Sequence, residues 1–260
     1  MKKTYLIVAM ICFLAFAGKA QTFTLTPKGD ISQTVLDIKN LYADNIIIEG
    51  VSSNEIKIET DDYEGIPDKA KGLKPLSATG PENTGIGLSV QQEGNRITVS
   101  GASRNADGEY RFSVPKNMML VVDLNNWQAG DLTIKGMAGE VEAHSQNGDI
   151  RFENVTGPLV VKTLSSDIEV IFSSVSQKSP TSIFSTSGDI DIVIPEATKG
   201  SFEMSTTSGE IYTDLNFKFP EEKEMSRFGG AVSGSATLNG GGVELSLRSI
   251  SGDIFIRKAK

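Results

Sequence analysis

S-Q-N-G-D-I at 145–150, S-T-S-G-D-I at 185–190, S-T-T-S-G-E-I at 205–211 and S-I-S-G-D-I at 249–254 are four renderings of one phrase: small polar residues, Gly, an acid, then Ile. Weaker copies are T-L-S-S-D-I at 163–168, A-G-D-L at 129–132, A-G-E-V at 138–141 and S-S-N-E-I at 52–56. Taking the acids as markers gives positions 131, 140, 149, 167, 189, 210 and 253, with intervals of 9, 9, 18, 22, 21 and 43. One unit is therefore about 18 to 22 residues long, the steps of nine divide it into two strands, and the last gap spans two units. A phrase returning at a fixed period is the mark of stacked, near-identical turns.

Between the corners the side chains alternate with the period of two that a half-buried strand requires. Ile150 and Phe152 share a face, as do Ile190, Ile192 and Ile194, Phe202 and Met204, Ile211 and Leu215, Val243, Leu245 and Leu247, and Ile254 and Ile256. P-L-V-V-K-T at 158–163, S-F-E-M-S-T at 201–206 and V-E-L-S-L-R at 243–248 stand where the second strand of a unit is needed. Helical periodicity is absent after the first twenty residues. The expected fold is all-β: a single-stranded β-helix or β-roll-like solenoid of stacked two-strand units. A β-sandwich is the alternative, since short strands at this spacing read the same way.

Turn chemistry explains the phrase. Gly supplies a positive φ at a tight corner, Asp accepts backbone N–H groups left over by the turn, and Ser or Thr does so more weakly. On this reading Asn54 and Asn95 take the left-handed position where Gly is missing, and Ser166 does so less comfortably. The structural repeat turns are then Gly130–Asp131, Gly139–Glu140, Gly148–Asp149, Asp167, Gly188–Asp189, Gly209–Glu210 and Gly252–Asp253.

Residues 1–20 read as an export signal: Lys2 and Lys3, an apolar run from Tyr5 to Ala17, then small residues at Gly18 and Ala20. Cys12 follows Ile11 rather than a small residue, which argues against lipidation. The mature chain is expected to run from residue 21 to 260 as a single β-repeat domain without cysteine. It would carry 22 basic residues against 33 acidic ones. That charge excludes nucleic acid as a natural partner, and no second apolar run is long enough for a membrane span. Periplasm, outer surface and secretion are all open. Residues 61–87 and 216–242 interrupt the repeat and are expected as loops on its flank.

The stretch from Glu109 to Phe172 contains a V-P strand start at Val114-Pro115, the turns G-D-L (130–132), G-E-V (139–141) and N-G-D-I (147–150), and V-T-G-P-L-V-V-K-T at 155–163. It resembles the bacterial "putative adhesin" family of exported β-strand-repeat proteins, a domain of unknown function. The resemblance implies an exported, repetitive β domain with the Gly-Asp phrases at its corners. It implies no catalytic residues.

The residues themselves offer little chemistry. Calcium takes six to eight oxygens, and stacked corners would align Asp149, Asp167, Asp189, Glu210 and Asp253 in a row. Each turn supplies only one acid, however, and a ladder of like charges is unfavourable. Glycoside hydrolysis needs two carboxylates facing one cleft, and no compact acid cluster with sugar platforms stands out. Trp127, the one tryptophan, lies beside Asn125 and Asn126 and forms a possible ligand surface. Packing between coils or capping the stack is the more ordinary role for such a residue. His144, the sole histidine, alternates with Glu142 away from Val141 and Ala143, so it reads as a solvated side chain. With no cysteine nearby, nucleophile triads and histidine metal sites are unsupported. The glycines at 240–242 lack the Lys-Ser and helix of a phosphate loop.

The resulting expectation is a non-enzymatic binding or structural module, an adhesin or scaffold of the cell envelope with no cofactor. Its partner would be a glycan, an envelope polymer or a protein. A carbohydrate-active β-helix enzyme and a calcium-stabilised matrix module are the alternatives.

Overall fold

The computed structural model describes residues 21–61, 63–65, 67–70, 72–73, 80–102, 108–220, 225–228 and 230–260. The expected export signal and Cys12 lie outside the described residues, as do parts of both interruptions. The first strands are β1 (Gln21–Leu25), β2 (Val35–Lys39), β3 (Asn45–Val51), β4 (Ile56–Thr60), β5 (Leu88–Glu93), β6 (Arg96–Gly101) and β7 (Glu109–Pro115). The middle holds β8 (Met119–Leu124), β9 (Asp131–Lys135), β10 (Val141–Ser145), β11 (Ile150–Val155), β12 (Leu159–Thr163), β13 (Ile168–Phe172), β14 (Thr181–Ser187) and β15 (Ile190–Ile194). The last are β16 (Gly200–Ser208), β17 (Ile211–Thr213), β18 (Ser226–Phe228), β19 (Ala231–Leu238), β20 (Glu244–Ser251) and β21 (Ile254–Lys258).

These strands form two long sheets, and from β6 to β17 the chain alternates strictly between them. The first sheet has the order β1-β4-β7-β3-β9-β11-β13-β15-β21-β17, and the second β18-β19-β16-β20-β14-β12-β10-β8-β2-β6-β5. Each coil is one strand of the second sheet followed by one of the first, so the fold is the expected all-β solenoid of two-strand units. Neighbouring coils pair in parallel and in register: Val141 lies beside Leu120 and Leu159, and Ile150 beside Leu132 and Ile168.

The register explains the core. Because every coil repeats the same alternation, inward residues stack into continuous apolar rows between the sheets. Ile46, Tyr110, Leu132, Ile150, Ile168, Ile190 and Ile254 form one row of the first sheet, each at most 1% exposed. Each fully buried Ile or Leu contributes about 1.5–3 kcal/mol. In the coil β10–β11 the small inward residue Ala143 and the large Phe152 are both fully buried.

Chain order and stacking order part company at both ends. Coil β2–β3 is inserted between β6–β7 and β8–β9, and coil β20–β21 between β14–β15 and β16–β17. The 43-residue gap before Asp253 is therefore not two further coils added to the end of the stack. Nor are the interruptions only flank loops. In 216–242, β19 runs antiparallel to β16 from Gly200↔Leu238 to Thr206↔Val232, extending the second sheet, and β18 pairs with β19. In 61–87, Tyr63 and Ile86 are buried, and the Tyr110 hydroxyl donates to the Ile86 carbonyl at 2.7 Å. Their apolar side chains have a core to join, which composition alone does not reveal.

Candidate functional site

The corner from the second sheet into the first is where the repeated phrase lies. Asp149 N–H donates to Asp131 Oδ1 at 3.0 Å, Asp167 N–H to Asp149 Oδ1 at 3.0 Å, and Asp189 N–H to Asp167 Oδ1 at 2.7 Å. The chain continues through Asp253 N–H to Asp189 Oδ1 at 2.7 Å and Glu210 N–H to Asp253 Oδ1 at 2.8 Å. Asp131, Asp149, Asp167, Asp189 and Asp253 thus each accept from the backbone of the next coil rather than from their own turn. Like charges one strand spacing apart repel by about 0.9 kcal/mol in water. A hydrogen bond to a charged acceptor contributes about 1.5–3 kcal/mol, so the ladder is favourable despite its charge.

The glycines have a different job from the one turn chemistry suggests. None of Gly130, Gly139, Gly148, Gly188, Gly209 and Gly252 has a positive φ. A Cβ on Gly148 would lie 1.8 Å from the Gly130 carbonyl oxygen, and one on Gly252 would lie 2.2 Å from that of Gly188. Glycine is required because the coils touch backbone to backbone. Asn54 and Asn95 are likewise not left-handed; Asn40, Asn154 and Asn239 are.

The small polar residue that matters stands three places before the glycine. Ser145 Oγ donates to the Gly148 carbonyl, Thr163 Oγ1 and Ser185 Oγ to that of Ser166, Ser249 Oγ to that of Gly188, and Thr206 Oγ1 to that of Gly252. These five hydroxyls are buried and satisfy corner carbonyls that would otherwise cost about 1–3 kcal/mol each. Ser166 occupies the glycine position of its coil, and its Oγ is buried without a hydrogen-bond partner.

Gly139 and Glu140 are not in this column. They lie at the opposite corner, where a Cβ on Gly139 would meet the Met118 carbonyl at 2.2 Å and Leu120 N–H donates to Glu140 O. S-S-N-E-I joins β3 to β4 and is also outside it. Two members had no clear phrase to mark them. Asn45 pairs in register with Asp131 and Glu109, and donates from Nδ2 to Glu109 Oε2 at 2.9 Å. The Gly-Glu pair at 108–109 was the available signal.

Trp127 belongs to the same edge, in a corner longer than those of the coils on either side, β2–β3 and β10–β11. It is 75% exposed, and so it neither packs between coils nor caps the stack. The backbone beneath it is tied down: Asn126 Nδ2 donates to Leu41 O at 2.8 Å, Asn147 Nδ2 to Trp127 O at 2.9 Å and Gln146 Nε2 to Asn125 O at 3.3 Å. Half-exposed Leu164, in its corner, and Ile250, at the end of β20, lie two and four coils further along.

Ion pairs line the outer face of the first sheet. Lys135 and Arg151 hold the Glu153 carboxyl below its ordinary range, and Asp191 raises the Arg257 guanidinium. Burial, then Glu82, raises the Tyr63 phenol. His144 faces outward, but more covered than a freely solvated ring, with Nε2 3.4 Å from Glu142 Oε1. Among the described residues no three acids or histidines come together as a metal-ligand set, and no helix is long and apolar enough to cross a membrane. Two surface depressions, of about 260 and 310 Å³, are bounded by Lys39, Gln91 and Glu93, and by Lys218, Phe219, Glu203 and Glu244 respectively. Neither holds a histidine.

A family model described as Toastrack DUF4097 matches residues 28–257, so the likeness seen over residues 109–172 extends along almost the whole described chain. No curated protein matches it in sequence. A crystal structure of a "putative cell adhesion protein" from Clostridium sporogenes ATCC 15579 is 10% identical, with 93% of this chain and 100% of that one covered at a TM-score of 0.46. A "putative adhesin" from Bacteroides fragilis NCTC 9343 is 14% identical, with 93% and 97% covered at a TM-score of 0.31.

Proposed function

This chain belongs to the Toastrack DUF4097 family, and from that premise we propose that it is an exported, non-enzymatic module that attaches to a glycan, polymer or protein of the cell envelope. The observation that carries this reading is Trp127. An indole left in water on a backbone held from the coils on either side is pre-organised contact surface, since a rigid aromatic loses little entropy when a ligand covers it. The amide side chains of Asn147 and Gln146 reach the same corner through their bonds to its backbone, and amides are hydrogen-bonding groups suited to sugar hydroxyls or a peptide backbone.

Export is tested by protease treatment of intact source cells. Peptides from residues 21–260 released at once indicate the outer surface, and peptides released only after the envelope is opened indicate the periplasm. Recovery solely from the cytosol overturns the reading. Attachment is tested on glycan and envelope-polymer panels. Trp127→Ala is expected to reduce retention about tenfold or more while leaving the melting temperature unchanged, because the ring buries little. Shortening of any retained polymer overturns the non-enzymatic part.

A further inference from the structure

We propose that the outer face of the 11-stranded sheet carries a recognition row for an acidic polysaccharide, formed by Lys162, Phe184 and Arg248. This rests on the reading of the protein as a binding module, and it concerns a surface other than the Trp127 edge.

The argument starts from charge pairing. With 33 acids against 25 basic residues, a cation on this surface has carboxylates to spare. The strand-borne cations duly find them: Lys39 and Arg96 on Asp37, Lys57 on Glu59, Arg111 on Glu109, Lys135 and Arg151 on Glu153, Arg257 on Asp191, and Lys258 on Glu196. Among strand residues with described side chains, the lysines and arginines without an ion pair are Lys162 and Arg248. They share one row. Lys162 is in register with Phe184, and Phe184 with Arg248, on the adjacent strands β12, β14 and β20. Both cations are exposed, and the ring between them is partly so.

Two free cations straddling an aromatic ring match a chain of pyranose rings bearing carboxylates. The ring offers an apolar platform to the C–H face of a sugar. The cations, two strand spacings or about 9.6 Å apart, take carboxylates on either side. The surroundings select against denser polyanions. Asp123 continues the row beyond His144, and Glu142 and Glu203 lie in the next row. A single nucleic-acid strand sets one phosphate every ~3.4 Å and would place several of them over these acids.

The test titrates the purified protein with polygalacturonate, a neutral glucan and oligo-dT by calorimetry. The expected result is binding of polygalacturonate only, weakened about tenfold or more in the Lys162→Ala/Arg248→Ala double variant and unchanged in Arg151→Ala, whose cation is already paired. A log–log salt dependence with a slope of about −1.4 to −1.8 is expected from two cation contacts. Unchanged melting of the double variant separates loss of binding from loss of fold. The proposal falls if polygalacturonate does not bind, if the neutral glucan binds equally well, if the double variant binds as the parent does, or if oligo-dT binds as tightly through the same residues. Release of new reducing ends from polygalacturonate would overturn the non-enzymatic reading while leaving the row standing. Binding lost in Trp127→Ala but intact in the double variant would do the reverse.

Discussion

From β8 to β15 the coils follow one another in chain order, whereas at each end a coil is slotted between two others that are distant in sequence. In the middle a rung joins residues 18 to 22 apart, such as Asp149 with Asp167 and Asp167 with Asp189. At the C-terminal junction the same bond joins Asp189 to Asp253, 64 residues away, and Asp253 to Glu210, 43 away. At the N-terminal junction Arg96 reaches Asp37 across 59 residues. Closing a loop of 64 rather than 20 residues costs only about 1 kcal/mol more. Once made, the inserted coil gains a partner on both sides, and its apolar rows are covered on both. The lesson is that stacking order in a repeat fold is set by which coil leaves no unpaired edge, and chain order yields to it cheaply.

The largest effect should come from removing coils. Excising residues 148–165 deletes one period and joins β10 to β13 through the corner S-Q-N-S-D-I, so the shortened protein is expected to fold and melt in a single transition at lower temperature. Truncating residues 243–260 instead strips the inserted coil with its buried Leu245, Leu247, Ile254 and Ile256. Residues 200–238 should then lose amide protection in hydrogen exchange. Equal protection in both variants would mean that the insertion is dispensable and the comparison is broken.

Corner glycines should show a smaller effect, and an equal one in both regions. Gly148→Ala in the sequential stack and Gly252→Ala at the inserted coil each drive a Cβ into a carbonyl oxygen. Each is expected to cost about 3 kcal/mol in a denaturant titration. Gly94→Ala, with φ +59° and open space around the new Cβ, should cost about 1 kcal/mol. A mild Gly252→Ala would show that the inserted coil is more loosely seated than its neighbours. The smallest expected change is a gain. Ser166→Gly removes a buried, unpartnered hydroxyl and restores the corner of the other coils, adding up to about 1 kcal/mol after the entropic cost of glycine. A loss on that substitution would show that the middle of the stack tolerates a side chain at the contact.

The phrase [ST]-x-x-G-[DE]-I was legible in the sequence because every copy meets the same surroundings, so one local solution recurs and its period counts the coils. The inward rows were legible for the same reason: Ile150, Ile190 and Ile254 alternate with polar residues because one face of each strand meets the opposite sheet. Why glycine is needed was not legible, since the clash at Gly148 is with Gly130, a residue of another coil. The exposure of Trp127 and the insertion of β20–β21 were hidden likewise, as was the meeting of Lys162, Phe184 and Arg248 on one row. By itself, then, the sequence determined the unit, its two strands and its buried face, all of which depend on side-chain alternation and contacts within a few residues. Only the tertiary structure decided the order of the units and what they bring together. Parallel pairing between coils is nearly indifferent to the length of chain that joins them, and so leaves no trace in local spacing.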